Sequence, residues 1–232
     1  MAEGPTWGRA EWQGIVSLVV VLAIMVVLAF WPAGTFGWAR GWWLLADFLV
    51  LILISMAVLW RVNPEIFAAR SKATGAGTKG WDVVIVTIVL LCFMAVIPVG
   101  GFDYRFGWSQ QADWVVILGH LILIIGFAGT AWAQAVNRHF EPSVRIQSDR
   151  GHTVIDTGPY AIIRHPGYLF GSLMAIGMGL ALGSLTPLVP ALILTATLAV
   201  RTVLEERTLV AELPCYAEFR QRTRYRWVPG VW

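Results

Sequence analysis

Long, nearly uncharged apolar segments constrain what this chain can fold into. Because the hydrocarbon core of a bilayer is about 30 Å thick, a helix needs roughly 20 mostly apolar residues to cross it. Four such segments and two shorter ones lie near residues 12–31, 42–60, 81–99, 114–136, 168–184 and 186–204. The chain is 57% hydrophobic and 13% charged, with a mean hydropathy of +0.68, which is typical of a multi-span membrane protein rather than a soluble domain.

The predicted fold is therefore all-α, a polytopic bundle of about six transmembrane helices. The break between the last two segments, from Gly183 to Pro187, favours a tight turn, so these two helices should form a hairpin. A cytoplasmic C-terminal helix is expected over residues 205–221. We expect residues 1–113 to form the first three helices with their loops, and residues 114–232 to form the functional core.

The basic residues predict the orientation of the chain. One precedes the first segment, four lie in 61–80, four in 137–166 and six from Arg201 onward, whereas the opposite loops hold only Arg40 and Arg105. Loops rich in lysine and arginine face the cytoplasm. We therefore expect an integral membrane protein with both termini in the cytoplasm. This topology accounts for the net charge of +3, so no nucleic-acid partner is expected.

Most of the polar side chains fall on the same predicted cytoplasmic face. The loop from 137 to 168 contains three of the four histidines of the chain. Pro159 favours a helical turn after it, and Pro166 restricts the backbone of His165, so the loop should hold its side chains in fixed directions. Two other interpretations stay open, namely contact with anionic lipid heads and zinc binding by the histidines. Those histidines are His139, His152 and His165.

A second polar cluster follows the last apolar segment, in "RTVLEERTLVAELPCYAEF". Glutamates at a helix C-terminus oppose the helix dipole, so the helix should continue past Glu205 and Glu206 until Pro214 stops it. Adjacent side chains on a helix point about 100° apart. One glutamate can therefore face inward while the other meets solvent or an arginine such as Arg201. Both could equally be solvated charges at the membrane surface.

Few ionisable residues lie within or at the ends of the predicted spans. Asp47 and His120 are expected to be packed and hydrogen-bonded, because the rest of the polar chemistry lies on the other face. Asp82 and Asp113 stand at the starts of their segments, where an aspartate commonly caps the helix N-terminus.

The order of these motifs resembles a known family. "GPYAIIRHPGYLFG" is followed by two apolar segments and then by "RTVLEERTLVAELPCYAEFRQRTRYRWVPG". The succession RHPxY, hairpin, EE and Y-x-x-[YF] is similar to the isoprenylcysteine carboxyl methyltransferases. These belong to a set of integral-membrane S-adenosylmethionine methyltransferases that also includes the phospholipid N-methyltransferases. The resemblance covers about residues 137–230, and the first three segments offer only hydropathy.

The resemblance implies a cytoplasm-facing pocket for S-adenosyl-L-methionine, closed by the 137–168 loop and the C-terminal helix. The residues that it implies for cofactor binding are Gln147, His152, Tyr160, His165, Pro166, Tyr168 and Glu205. The residues that it implies near the reacting groups, as catalytic candidates, are Arg164, Arg201 and Glu206. No metal site is expected, because the spacings between His139, His152 and His165 match no short ligand pattern.

The methyl acceptor is expected to be lipophilic and to enter from the bilayer. The cytoplasmic loops are too short to build a separate substrate domain, so the acceptor should pass between the last three spans. Glycines thin the helix surfaces there, at Gly171, Gly177, Gly179 and Gly183. Either a carboxylate beside an arginine or an amine that loses its proton to Glu206 or His165 would suit as acceptor.

Two other functions stay open at this point. One is a membrane lipid or sterol reductase that uses NADPH, although that cofactor would call for more basic residues and a longer loop. The other is a non-enzymatic transporter or scaffold, although transporters place their polar residues at mid-membrane on broken helices. Membrane lipids are expected partners in each case, and the oligomeric state is open.

Overall fold

The structure, a computed structural model, describes residues 9–70 and 77–232. Within these ranges the chain forms eight α-helices and two short 3-10 turns, and no β-strand. The helices are α1 (Arg9–Ala33), α2 (Ala39–Val62), α3 (Glu65–Arg70), α4 (Gly80–Phe106), α5 (Asp113–Val136), α6 (Pro166–Ala181), α7 (Leu188–Glu212) and α8 (Tyr216–Arg222). The 3-10 turns cover Ser148–Arg150 and Gly158–Ala161.

The described helices confirm an all-helical membrane bundle. By length and composition α2, α4, α5 and α7 can each cross a bilayer, and Val19–Ala33 of α1 and the whole of α6 are shorter apolar helices. Only 22–33% of the residues in the most apolar part of the four long helices are buried, so most of this apolar surface faces outward, where lipid can cover it. The count of six spans stays a prediction, as does the side of the membrane on which the termini lie.

The predicted hairpin is formed by α6 and α7. Gly183 lies between them with φ of +69°, in the left-handed region that glycine adopts without strain. Helix α6 also packs closely on α5, since a Cβ atom on Gly177 would lie 2.5 Å from the backbone nitrogen of Leu123. Small residues allow this backbone approach between membrane helices.

The predicted C-terminal helix over 205–221 is divided in two. Helix α7 continues through both glutamates to Glu212, and α8 begins only at Tyr216. Pro214 lacks a backbone N–H and its ring obstructs the preceding turn, so one helix cannot continue through it. Cys215, with φ of 63°, then turns the chain into α8.

The connections between helices gather at two ends of the bundle. The loop end comprises the described residues 63–70, 77–79, 137–165 and 213–232. There the Lys79 ammonium lies 2.7 Å from the Glu212 carboxylate. The turn end comprises 34–38, 107–112 and 182–187, and beside it the Arg40 guanidinium lies 2.9 Å from the Asp113 carboxylate. The loops with most of the basic residues therefore share one end.

Candidate functional site

A cavity of about 300 Å³ opens at the loop end, between the 137–168 loop, α4, α6, α7 and α8. Most of the residues predicted for the site line it, namely Gln147, His152, Tyr160, Arg164, His165, Tyr168, Arg201 and Glu205. Glu206 and Pro166 do not line it. Glu206 is buried behind the wall at 3% exposure, and Pro166 is the first residue of α6.

Gln147 holds the loop in shape from inside. Its side-chain amide is 2% exposed and donates from Nε2 to the carbonyl of His139 at 2.7 Å. Its backbone nitrogen donates to Nδ1 of His152 at 3.3 Å. The outer part of the loop is fastened by Arg145, whose Nε donates to the Glu141 carboxylate at 2.8 Å. The loop therefore forms a fixed wall of the cavity.

Two histidines of the loop lie against each other. The rings of His139 and His152 have their centroids 4.6 Å apart. Burial, together with the neighbouring His139 and the arginines of the loop, lowers the pKa of His152 to about 4. Burial also lowers the pKa of His139. Both imidazoles are therefore uncharged at neutral pH, and no cluster of three or more metal-ligating side chains occurs in the described parts of the chain.

The C-terminal tail pairs with the residues before α6. The backbone nitrogen of Arg164 donates to the carbonyl of Tyr225 at 2.9 Å, and that of His165 donates to the carbonyl of Arg226 at 3.0 Å. The indole nitrogen of the buried Trp227 donates to the hydroxyl of Thr202 on α7 at 2.9 Å. The tail thus fixes the direction in which the RHP segment enters α6.

Arg164 and Glu206 form a buried ion pair behind the cavity. Nε of Arg164 donates to Oε1 of Glu206 at 2.5 Å, and its Nη1 donates to the carbonyls of Thr223 and Arg224 at 2.7 Å. The other oxygen of Glu206 accepts from Nε of Arg226 at 2.8 Å. Both carboxylate oxygens of Glu206 are therefore occupied by arginines.

Tyr168 and Glu205 form a unit in the cavity wall. The hydroxyl of Tyr168 donates to Oε2 of Glu205. The imidazole of His165 stacks on the Tyr168 ring with centroids 5.5 Å apart and planes within 10°. No lysine or arginine of the described residues forms an ion pair with Glu205, whose nearest basic atom is Nδ1 of His165 at 3.7 Å. Glu205 and Glu206 therefore differ sharply although they are adjacent in sequence.

Arg201 is held by an aspartate that the sequence did not mark as part of the site. Asp82 accepts from Nε and Nη2 of Arg201 at 2.8 and 2.9 Å and does not cap α4, contrary to the prediction. Asp113 also caps nothing and instead pairs with Arg40. Hydropathy along the sequence shows only that each aspartate lies near the start of a span. It does not show that the partner of that aspartate lies on another helix.

Four buried polar side-chain atoms among the described residues have no hydrogen-bond partner, and two of them belong to residues that line the cavity. One is Nε2 of His165, which lies 3.4 Å from the Glu206 carboxylate without hydrogen-bond geometry. The other is the hydroxyl of Tyr216, a residue 4% exposed. Buried polar atoms are nearly always paired. Nε2 of His165 faces Glu206 behind the cavity wall, and the Tyr216 hydroxyl faces the Arg164 side chain, so neither atom by itself identifies a ligand. The other two are Nε1 of Trp38 and Oγ of Ser172.

The glycines expected to open a path for the acceptor mostly serve helix packing. Gly177 touches the α5 backbone, Gly179 meets the start of α7, and Gly183 meets the Arg40 side chain. Only Gly171 faces open space. The cavity does have apolar lining from a helix long enough to span the membrane, namely α4, through Val86, Val89 and Leu90.

The fold and this cavity define an integral-membrane protein whose polar groups surround one pocket at one end of the bundle. Residues 114–213 match the family model for phospholipid methyltransferase. The matched family is one of integral-membrane methyltransferases and is related to the isoprenylcysteine carboxyl methyltransferases, so the resemblance read from the RHPxY and EE motifs is confirmed over this segment.

The chain is also similar to the cobalt-zinc-cadmium resistance protein CzcN of Cupriavidus metallidurans. The two are 32% identical over 124 residues, which cover 51% of this chain and 53% of that protein. The match therefore spans about half the length of this curated relative.

Proposed function

We propose that this protein transfers a methyl group from S-adenosyl-L-methionine to a lipophilic acceptor in the cavity at the loop end. The observation that carries the proposal is the state of Glu205, a carboxylate in the cavity wall that forms no ion pair with an arginine or lysine of the described residues. It accepts from the Tyr168 hydroxyl and lies 3.7 Å from Nδ1 of His165. A carboxylate next to aromatic surface suits a ligand that carries a sulfonium and an ammonium.

The residues of the chain would contribute alignment and exclusion of water. When bound, the cofactor supplies a methyl group that its sulfonium already activates, so no protein nucleophile is required. Tyr168 holds Glu205 in one orientation, and His165 is fixed by its stacking on Tyr168 and by its backbone bond to Arg226. A site so fixed brings reacting groups together without paying for their ordering during the reaction.

Within that function, the charges favour an amine over a carboxylate as the acceptor. A carboxylate acceptor needs a cation that is not already neutralised, yet Arg201 is paired with Asp82 and Arg164 with Glu206. An amine must lose a proton, and the wall offers Glu205 and the His165 ring as acceptors. An acceptor with an amine head therefore fits the wall better than an isoprenylcysteine-type carboxylate.

The apolar side of the cavity supports a lipid tail. Val86, Val89 and Leu90 line the cavity from α4, a helix long enough to span the membrane. Leu90 is 57% exposed, so this wall is continuous with the lipid-facing surface. Each methylene of a tail buried there would contribute about 0.8 kcal/mol. We infer that the tail passes along α4.

Calorimetric titration of the purified protein tests the cofactor. We expect binding of S-adenosylhomocysteine and none of NADPH, and the reverse result would favour a reductase. Transfer of labelled methyl groups then tests the acceptor, with phosphatidylethanolamine compared with a farnesylated cysteine in the same micelles. Faster labelling of the farnesylated cysteine would overturn the amine assignment and leave the methyl donor standing.

A pair of variants on α4 tests the path of the tail. Leu90→Trp should raise the KM for a long-tailed acceptor and leave S-adenosylhomocysteine affinity unchanged. Leu91→Trp is the matched control, because Leu91 is 65% exposed on the same helix and does not line the cavity. Equal effects of the two substitutions would exclude this path.

A further inference from the structure

Asp82 lies outside the 114–213 segment that matches the family, yet it is the most buried charged group near the cavity. Its side chain is 0% exposed on the first turn of α4. Oδ1 accepts from Nε of Arg201, and Oδ2 accepts from Nη2 of Arg201 and from the backbone nitrogen of Val144 at 2.6 Å. One carboxylate therefore joins α4, α7 and the loop.

We propose that Asp82 is a positioning residue of the methyltransferase site, which fixes Arg201 and the Val144 segment of the loop against the cavity. The site then requires α4 as well as the family segment. This inference rests on the proposed function for its role in cofactor binding, whereas its structural part, the brace between three elements, does not.

The geometry of Arg201 explains why a brace is needed. An arginine side chain is long and flexible, and a bidentate contact with a carboxylate fixes the plane of its guanidinium. Nη2 of Arg201 also donates to the carbonyl of Pro142 at 2.6 Å. Its guanidinium carbon lies 5.2 Å from the centroid of the Tyr168 ring, and Tyr168 in turn holds Glu205. Asp82 thus orients Glu205 through two intervening side chains.

The charge of Asp82 has a second consequence. Arg201 lines the cavity, and without its counter-ion it would present an uncompensated positive charge to the ligand. Charges interact strongly across a poorly solvated space. S-adenosylmethionine carries one positive charge more than S-adenosylhomocysteine. Loss of the Asp82 charge should therefore weaken the binding of S-adenosylmethionine more than that of S-adenosylhomocysteine.

The test compares two aspartates of the same helix. Asp82→Asn removes the charge at the loop end, and Asp103→Asn does so at the turn end, where Asp103 is 1% exposed and accepts from Ser109, Ser184 and Thr186. We expect both variants to unfold at lower temperature. Only Asp82→Asn should weaken S-adenosylhomocysteine binding, by about tenfold, the size of one lost charged hydrogen bond. It should weaken S-adenosylmethionine binding several-fold further.

A change in the ratio of the two affinities is a readout that general destabilisation does not produce. An unchanged ratio together with unchanged affinity in Asp82→Asn would overturn the proposal, as would equal losses in Asp103→Asn. If Asp82→Asn does not fold, the double variant Asp82→Leu/Arg201→Met replaces the ion pair by apolar groups, a change that buried pairs often tolerate. Wild-type affinity in that variant would also overturn the proposal.

Hydrogen exchange tests the structural role of Asp82 independently of the proposed methyltransferase function. The amides of residues 140–147 should exchange faster in Asp82→Asn and at the wild-type rate in Asp103→Asn, whether or not any cofactor binds. If the wild-type protein binds neither S-adenosyl compound, the proposed function fails while the exchange still tests the brace. Unchanged exchange in Asp82→Asn would refute the brace itself.

Discussion

The two ends of the bundle use equally buried aspartates of α4 in different ways. At the turn end Asp103 accepts from the backbone and hydroxyl of Ser109 at 2.8 and 2.5 Å, from the hydroxyl of Thr186 at 2.6 Å and from that of Ser184. These donors are neutral and belong to the turns themselves. At the loop end Asp82 accepts mainly from a charged arginine that lines a cavity.

This difference teaches how a membrane bundle separates stability from binding. The Asp103 cluster closes on itself and ties the α6–α7 hairpin to α4. Around the cavity, by contrast, Arg164 and Arg201 are each paired with a buried carboxylate, whereas Glu205 forms no ion pair with a lysine or arginine of the described residues. Substitutions at the turn end should therefore affect stability alone, and substitutions at the cavity wall should affect binding.

The largest expected effect on stability comes from the loop end. Glu206→Gln would leave Arg164 and Arg226 without their counter-ion, and loss of one partner from a buried ion pair costs about 3–5 kcal/mol. Ser184→Ala at the turn end removes the hydrogen bond from the Ser184 hydroxyl to the Asp103 carboxylate and should cost about 1.5–3 kcal/mol. Unfolding in mild detergent, followed by circular dichroism, would measure both. A Glu206→Gln variant as stable as Ser184→Ala would mean that the ion pair contributes no more than a single buried hydrogen bond to a carboxylate.

The next effect concerns binding. Glu205→Ala and His165→Ala should each weaken S-adenosylhomocysteine binding by about 1–3 kcal/mol, because each substitution removes a polar group that the bound ligand would contact in the cavity wall. Calorimetric titration measures this loss. Glu212→Ala is the matched control, since Glu212 lies on the same helix and pairs with Lys79 away from the cavity. Losses below about 0.4 kcal/mol, which is twofold, in both cavity variants would contradict the site assignment.

Stability should also depend on pH through the loop. The pKa of His152 is lowered to about 4 in the folded protein, against about 6.5 when unfolded, so the unfolded state binds more protons between these values. Stability should therefore be full above about pH 6.5 and fall as the pH falls towards 4, by up to about 2 kcal/mol at pH 5. His152→Gln should flatten this part of the profile. An unaltered profile in that variant would show that His152 is not its source.

The smallest effect on stability is expected at a polar contact between α2 and α5. Nδ1 of His120 on α5 lies 2.5 Å from the Asp47 carboxylate on α2, so the two residues are hydrogen-bonded as expected from the sequence. Polar contacts between membrane helices contribute about 0.6 kcal/mol on average. Asp47→Asn should lower stability by about that amount and leave S-adenosylhomocysteine affinity unchanged. A clear loss of affinity would link this contact to the cavity and weaken the division between the two ends.

Local properties of the sequence were enough for part of this structure. Apolar length predicted α2, α4, α5 and α7, and the glycine and proline of the Gly183–Pro187 turn predicted the hairpin. Pro166 is the first residue of α6, a position at which the backbone N–H has no partner within the helix, and Pro214 prevents α7 from continuing past Leu213. Most of the residues that the motifs predicted for the site line one cavity, and α4, which precedes residue 114, lines it as well. Their roles and the division of the chain at residues 113 and 114 stay predictions.

Only the tertiary structure decided which polar groups meet. Asp82 pairs with a residue 119 positions away, Asp47 with one 73 away, and the tail from Thr223 reaches back to Arg164. These partners depend on how each helix is rotated about its own axis. When a helix is apolar on every side, its sequence does not show which side faces the protein, because any apolar side can face lipid. The rotation is therefore set by packing against the neighbouring helices.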